Sequence, residues 1–287
     1  VSAKPVLVVH RPGSTHWVGD GFRVHNLFPS NELGEALSPW LLLDYGAAAH
    51  FPPTEKRRGV GEHPHRGFET VTVAFQGKVE HRDSAGNSGT IGPGDVQWMT
   101  AGSGVVHEEF HEREWARAGG TLEMVQLWVN LPRAHKLTTP RYQDLRDADI
   151  PRIERPGALL RVIAGEVLGA RGPARTFSPL ELCTLELAAG AELALTLPAG
   201  HTAALLVLTG AARVNGSVPA HATELVLLGT DGTELHVRAD EPTRALLLGG
   251  RPLGEPVAMA GPFVMNTQAE LVQAMRDYQA GHMGHLS

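Results

Sequence analysis

The residues of this chain best suited to chemistry lie in two short runs, His63-Pro64-His65-Arg66-Gly67-Phe68-Glu69 and His107-Glu108-Glu109. On a β-strand, residues two apart point to the same face. His63 and His65 can therefore direct two imidazoles at one point. His107 and Glu109 can add a third imidazole and a carboxylate from a second strand. Three neutral nitrogens with one anionic oxygen suit a divalent first-row transition ion. Parity leaves the carboxylate open, because Glu69 follows His65 by four residues and Glu109 follows His107 by two. Each shares the face of its histidine if the strand is regular. Glu108 points the other way and is expected in solvent.

Positioning these side chains requires strands, and the sequence supplies them. Residues 70–75 are β-rich, Gln76-Gly77 turns, and 78–83 return with a polar face. A Ser/Gly/Asn loop over 84–89 leads through Thr90-Ile91 to the turn Pro93-Gly94-Asp95 and a strand at 96–99. After Ala101-Gly102-Ser103-Gly104 the chain enters His107 through Val105-Val106. Residues 122–131 alternate again. Short strands joined by tight turns are antiparallel, and a sandwich or small barrel closes them.

Residues 133–157 are rich in Arg, Asp and Pro and read as a connector. Strands resume at 182–187, 193–197, 203–208, 211–214, 224–228 and 245–248, with Asn215-Gly216 as a hairpin turn. The two halves look like copies of one β-architecture. The expected division is 1–135, a metal-binding domain; 136–157, a linker; 158–261, a second domain without metal; and 262–287, a terminal segment with a helix. Thr267-Gln268-Ala269-Glu270 forms a capping box, Leu271, Ala274, Met275 and Tyr278 share one face, and Gly281 ends the helix.

The chain has 287 residues and a net charge of −6, without a basic block, which argues against direct binding of nucleic acid or anionic membrane. One cysteine, Cys183, excludes an internal disulfide framework and reads as a buried core thiol. No signal pattern and no apolar run of spanning length is present, so a soluble cytoplasmic protein is expected. Most of the 15 histidines, His81 among them, read as surface or hydrogen-bonded residues, and His111 as an exposed loop residue.

The HxHx3E pattern, the glycine run into His107 and the duplicated β-domains resemble a two-domain cupin. The longer strings HPHRGFET, PGDVQWMTAGSGVVHEE, QLWVNLP and GPFVMNT resemble pirin, from about Gly61 to Met265. Gly77 departs from the general cupin pattern by arriving one residue late. The resemblance implies an all-β bicupin: two antiparallel jelly-roll domains in tandem with a short C-terminal helix. It implies metal ligands His63, His65, His107 and Glu109, and leaves Glu69 as a candidate for orienting a ligand. In the second half His201 begins a similar motif, but Ala203 and Leu205 cannot ligate.

The pirin resemblance implies Fe(II), with Mn, Co, Ni, Cu or Zn as alternatives by ligand type. It also implies a dioxygenase acting on flavonols such as quercetin, using O2 and releasing CO. Glu109 is then also the catalytic base for the substrate's 3-hydroxyl. Phe51, Phe68, Trp98, Met124 and Trp128 are candidate walls for a flat aromatic substrate, and residues 51–62 a candidate mouth. The competing expectation is a redox-sensitive metal-binding regulator that engages a transcription factor or metabolic enzyme without turnover. Another small enolisable substrate is the third reading.

Overall fold

A computed structural model describes residues 2–28 and 36–286. It is a bicupin, in which each of two compact units pairs a seven-stranded with a four-stranded antiparallel sheet. One unit comprises Ser14–Asn26, Leu42–Asp147 and Gly254–Ser287; the other comprises Val1–Gly13, Leu27–Leu41 and Ala148–Leu253.

The first of these units carries the histidine motifs. Its strands are β1 (His16–Val18), β2 (Phe22–Phe28), β3 (Trp40–Phe51), β4 (Gly59–His65), β5 (Phe68–Gln76), β6 (Val79–Asp83), β7 (Ser88–Ile91), β8 (Val96–Thr100), β9 (Val105–His111), β10 (Gly120–Asn130) and β11 (Arg141–Leu145). A short helix α1 (Arg113–Ala118) links β9 to β10. The larger sheet has the order β11-β8-β5-β10-β3-β2-β1, and the smaller β4-β9-β6-β7. Phe22, Ala74 and Met124 from the larger sheet and Val79 and Ile91 from the smaller form one buried cluster, so the two sheets face each other.

The chain closes on β12 (Ala258–Ala260), β13 (Phe263–Met265) and helix α2 (Gln268–Gln279). Thr267 caps α2 by accepting a hydrogen bond from the Glu270 amide at 3.2 Å. The Glu270 carboxylate reaches back to the Asn266 amide, one residue earlier than a regular capping box uses. Leu271 and Ala274 are buried, whereas Met275 and Tyr278 are each 40% exposed, so the packed face is narrower than the sequence pattern suggests.

In the other unit the larger sheet runs Val6–His10, Leu225–Leu228, Thr202–Thr209, Thr243–Gly250, Leu180–Leu187, Ala158–Ala164, Arg152–Arg155. Its core includes Cys183, Ala203, Leu205 and Leu247, all fully buried. Burial also pushes the Cys183 thiol well above its ordinary pKa, the signature of an inert packing residue. At the hairpin after Ala211–Val214, Asn215 has φ +48°, as a primed turn requires.

The units are discontinuous, whereas the boundaries expected from sequence are consecutive. Val6–His10 pairs with Leu225–Leu228 of the later half. The stretch 136–157 is not an irregular linker either: Arg141–Leu145 pairs with Val96–Thr100, and Arg152–Arg155 with Ala158–Ala164. Both are edge strands, and edge strands tolerate the charged, weakly periodic sequence that hides them. Among the described residues no helix is long and apolar enough to cross a membrane.

Leu205 stands where a ligand would follow His201, yet it is core. Leu205→Ala is expected to cost about 2–5 kcal/mol through lost contacts and a residual cavity. Urea unfolding will show this as a lower midpoint, while elemental analysis of the folded variant finds the parent's metal content.

Candidate metal centre

His63 and His65 stand two apart on β4, and His107 lies on the adjacent strand β9, directly opposite His63 in the register. One nitrogen from each of the three rings falls within 4.8 Å of the others. Ring centroids are 4.3 Å apart for His63–His107 and 4.8 Å for the other two pairs. His65 and His107 are 4% and 0% exposed, and His63 is half-buried, so the group opens to solvent on the His63 side.

Burial disfavours the imidazolium form and holds all three rings neutral. It lowers His63, against an opposing contribution from the Gly61 carbonyl. His65 and His107 lie well below their ordinary range, first through burial and then through the neighbouring histidines. His63 Nδ1 lies 2.8 Å from the Gly61 carbonyl. Donating there fixes the tautomer and leaves the lone pair on Nε2. Both nitrogens of His107, Nδ1 of His65 and Oε1 of Glu109 are buried without a hydrogen-bond partner among the described residues. Buried polar atoms are rarely left unsatisfied, and convergent neutral imidazoles are ligands for a divalent transition ion. The residues present therefore fit a metal ion.

Glu109 is buried and follows His107 at strand parity, but its carboxylate is not among the mutually close donors. The β4–β9 register slips by one residue between His107 and Glu109. Burial pushes the Glu109 carboxyl up to about 7, with Gln126 and Thr72 beside it acting in the opposite direction.

Glu69 is placed elsewhere. The chain bends at Arg66-Gly67 between β4 and β5, so strand parity does not carry over from His65. Thr72 and Glu69 are three residues apart on β5 and thus on opposite faces. Since Thr72 lies beside Glu109, Glu69 faces away from that carboxylate. It accepts a 2.6 Å hydrogen bond from the Thr100 hydroxyl, with Arg141 at 3.8 Å, and burial raises its carboxyl to about 7.

Glu108 does point away from the histidines, yet it is only 5% exposed. Arg82 and Arg57 hold it at 2.6 and 3.3 Å, beside a groove of about 470 Å³ that Glu80 and Phe110 also line. His111 is likewise no loop residue. It is 2% exposed, lies 2.8 Å from the Gly21 carbonyl and packs edge-on against Phe22, Phe51 and Trp115.

His81, read from sequence as ordinary, lies within the same interior. Its residue pairs with Glu109 across β6 and β9, and its ring lies 6.0 Å from His107 and stacks on Tyr142 at 4.7 Å. Burial pushes it down to about 4. Only the β6–β9 register reveals this proximity, and no local motif marks it.

The proposed aromatic walls divide. Phe68 and Trp128 lie 4.3 Å apart and both touch His65, at 5.0 and 5.5 Å between ring centroids. Phe51 and Met124 belong to the separate cluster around Phe22, and Trp98 is fully buried.

Sequence comparison matches the pirin family pattern over residues 21–129 and the pirin C-terminal cupin domain over 182–284. A Pseudomonas aeruginosa protein provisionally named quercetin 2,3-dioxygenase is 52% identical over 97% of this chain and 98% of its own length. A crystal structure described as quercetin 2,3-dioxygenase from Acinetobacter baumannii is 50% identical, covers 100% of both chains and superposes with a TM-score of 0.97. At 20% identity, a bacterial pirin from Escherichia coli in complex with nickel(II) shares the fold, with a TM-score of 0.66 over 85% of this chain and 99% of its own.

Two substitutions separate the roles. His107→Ala is expected to lose stoichiometric metal on elemental analysis, and Glu69→Gln to retain it. Glu69 also predicts a pH dependence. Its folded pKa lies above the unfolded value, so its contribution to stability is present below about pH 4.5 and is lost as pH rises through about 7. Glu69→Gln removes that loss. Above pH 7 the variant should be the more stable by something on the order of 2–3 kcal/mol, and by nothing near pH 4, as read from urea midpoints.

Proposed function

The chain belongs to the pirin family, and we propose that it is a metal-dependent dioxygenase that opens the heterocycle of a flavonol such as quercetin and releases CO. The carrying observation is the buried group of three neutral imidazoles. Support comes from relatives at 52% and 50% identity that bear the quercetin 2,3-dioxygenase name.

In this proposal His63, His65 and His107 hold the ion, with Glu109 as the fourth donor and Fe(II) as the metal. When bound, the ion supplies Lewis acidity and a redox centre. The chain's own residues supply the rest. Phe68 and Trp128 offer a flat apolar surface against His65, suited to a planar polyphenol. Half-buried Trp128 and His63 mark the side from which a substrate reaches it. The unpartnered Oε1 of Glu109 accepts the proton of the flavonol 3-hydroxyl, leaving the electron-rich flavonolate that reacts with O2. Burial of His65 and His107 keeps water away from the reacting face.

The balance is one O2 consumed and one CO released per flavonol opened. Aerobic incubation of the iron-loaded protein with quercetin should give many turnovers per metal, with CO and loss of flavonol absorbance in equal amounts. Glu109→Gln should lower the rate by about 10²–10⁴-fold, the usual contribution of a positioned base. Fewer than one CO per bound ion would reject the enzymatic reading in favour of a metal-dependent binding role.

A further inference from the structure

The corner that follows His65 is gripped from outside the cupin motif. Strand β13 runs beside it: the Arg66 amide donates to the Pro262 carbonyl at 3.3 Å and the Val264 amide donates to the Arg66 carbonyl at 3.0 Å. Gly67, with φ +86°, allows this approach, because a Cβ there would lie 1.9 Å from the Val264 oxygen. The buried ammonium of Lys136 donates to the carbonyls of Gly67 and Val264 at 2.8 and 2.9 Å, and also to Asn130 Oδ1. It thereby ties the corner to the terminal strand a second time.

Helix α2 adds an ion pair. The Arg66 guanidinium donates to Asp277 at 2.7 Å and, through Nε, to the Ser103 carbonyl at 2.7 Å. Arg66 thus spans from the helix to the glycine turn that leads into His107. Gln273 donates to the other Asp277 oxygen at 2.8 Å, fixing the carboxylate. On the His107 side the Ser84 hydroxyl donates to the Met283 carbonyl at 2.6 Å and accepts from the Val106 amide at 3.0 Å. The Met283 side chain lies where a Cβ on Gly104 would be, 2.6 Å from its Cγ. Val106, Phe263, Met265, Leu271, Ala274 and Met283 form one apolar cluster beneath these contacts.

We infer that residues 262–283 are an outer brace of the histidine group. Asp277 acts through Arg66 and Met283 through Ser84, as positioning residues for the strands that carry His65 and His107. The inference rests on the metal-centre reading. Its consequence is reciprocal: whatever the brace contributes to metal affinity, bound metal returns to the docking of the brace. Metal loading and the order of the C-terminal helix are then one equilibrium, and a ligand or protease acting on the helix alters metal retention.

The test uses the full chain and Co(II), whose visible absorption reports ligand geometry. Asp277→Ala should weaken Co(II) affinity about tenfold, the scale of an outer-shell loss, and shift the visible bands; Asp277→Glu should recover both. Ser84→Ala cuts the Met283 arm and should likewise weaken affinity about tenfold. In hydrogen exchange, Co(II) should slow the amides of residues 268–279 in the parent but not in Asp277→Ala. Parent-like affinity and spectrum in folded Asp277→Ala, or helix exchange in the parent indifferent to Co(II), would overturn the brace. A parent chain that binds no Co(II) would instead overturn the metal-centre reading beneath it.

Discussion

The structure around the site depends on one electrostatic constraint: three imidazoles converge where burial forbids them to be charged. Each ring within 5 Å of the others penalises protonation of its neighbours, and burial penalises it further. Neutral rings present lone pairs, and converging lone pairs repel unless something positive lies between them. A cation converts an arrangement that costs energy into one that gains it. That is why such a cluster is affordable only in a rigid frame, and why the frame is built mostly of β-structure rather than loop.

Each structural device nearby reduces the freedom of one imidazole. The β4–β9 register sets His63 against His107. The Gly61 carbonyl fixes the His63 tautomer. The sharp corner at Arg66-Gly67 turns the chain from the smaller sheet into the larger immediately after His65, so that Phe68 and Trp128 stand against its ring. Even Glu108, which faces away from the histidines, ties β9 between His107 and Glu109 to Arg82 of β6 and to Arg57.

What the sequence made legible was whatever obeys local periodicity. The HxH pair, the parity of Glu109 with His107, the Asn215-Gly216 hairpin and the Thr267 cap all follow from spacing within one element. Structure and spacing part where periodicity is interrupted or where register decides the outcome. Glu69 shares a face with His65 only by a parity that the bend at Gly67 breaks. His81 carries no local signal, because its proximity to Glu109 is a matter of strand pairing. His111 and Glu108 look exposed because polar residues usually are, yet one donates to the Gly21 carbonyl and the other is paired with arginine. Residues 136–157 looked like a linker because an edge strand has only one neighbour to satisfy.

The duplicated architecture shows how strongly a single requirement shapes a cupin interior. The interior of the second unit is closed with aliphatic side chains: Ala203 and Leu205 follow His201 at strand parity and are fully buried. His201 itself is satisfied by the Glu181 carboxylate at 2.9 Å. The first unit does the opposite. It buries His81, His107, Thr70 and one oxygen of Glu109 with polar atoms that find no hydrogen-bond partner among the described residues. Buried polar atoms without partners are costly in a packed core, and they fit the lining of a place where something else binds. The contrast between the two halves, one sealed and one left unsatisfied, is therefore itself a physical argument for which of them is suited to hold an ion.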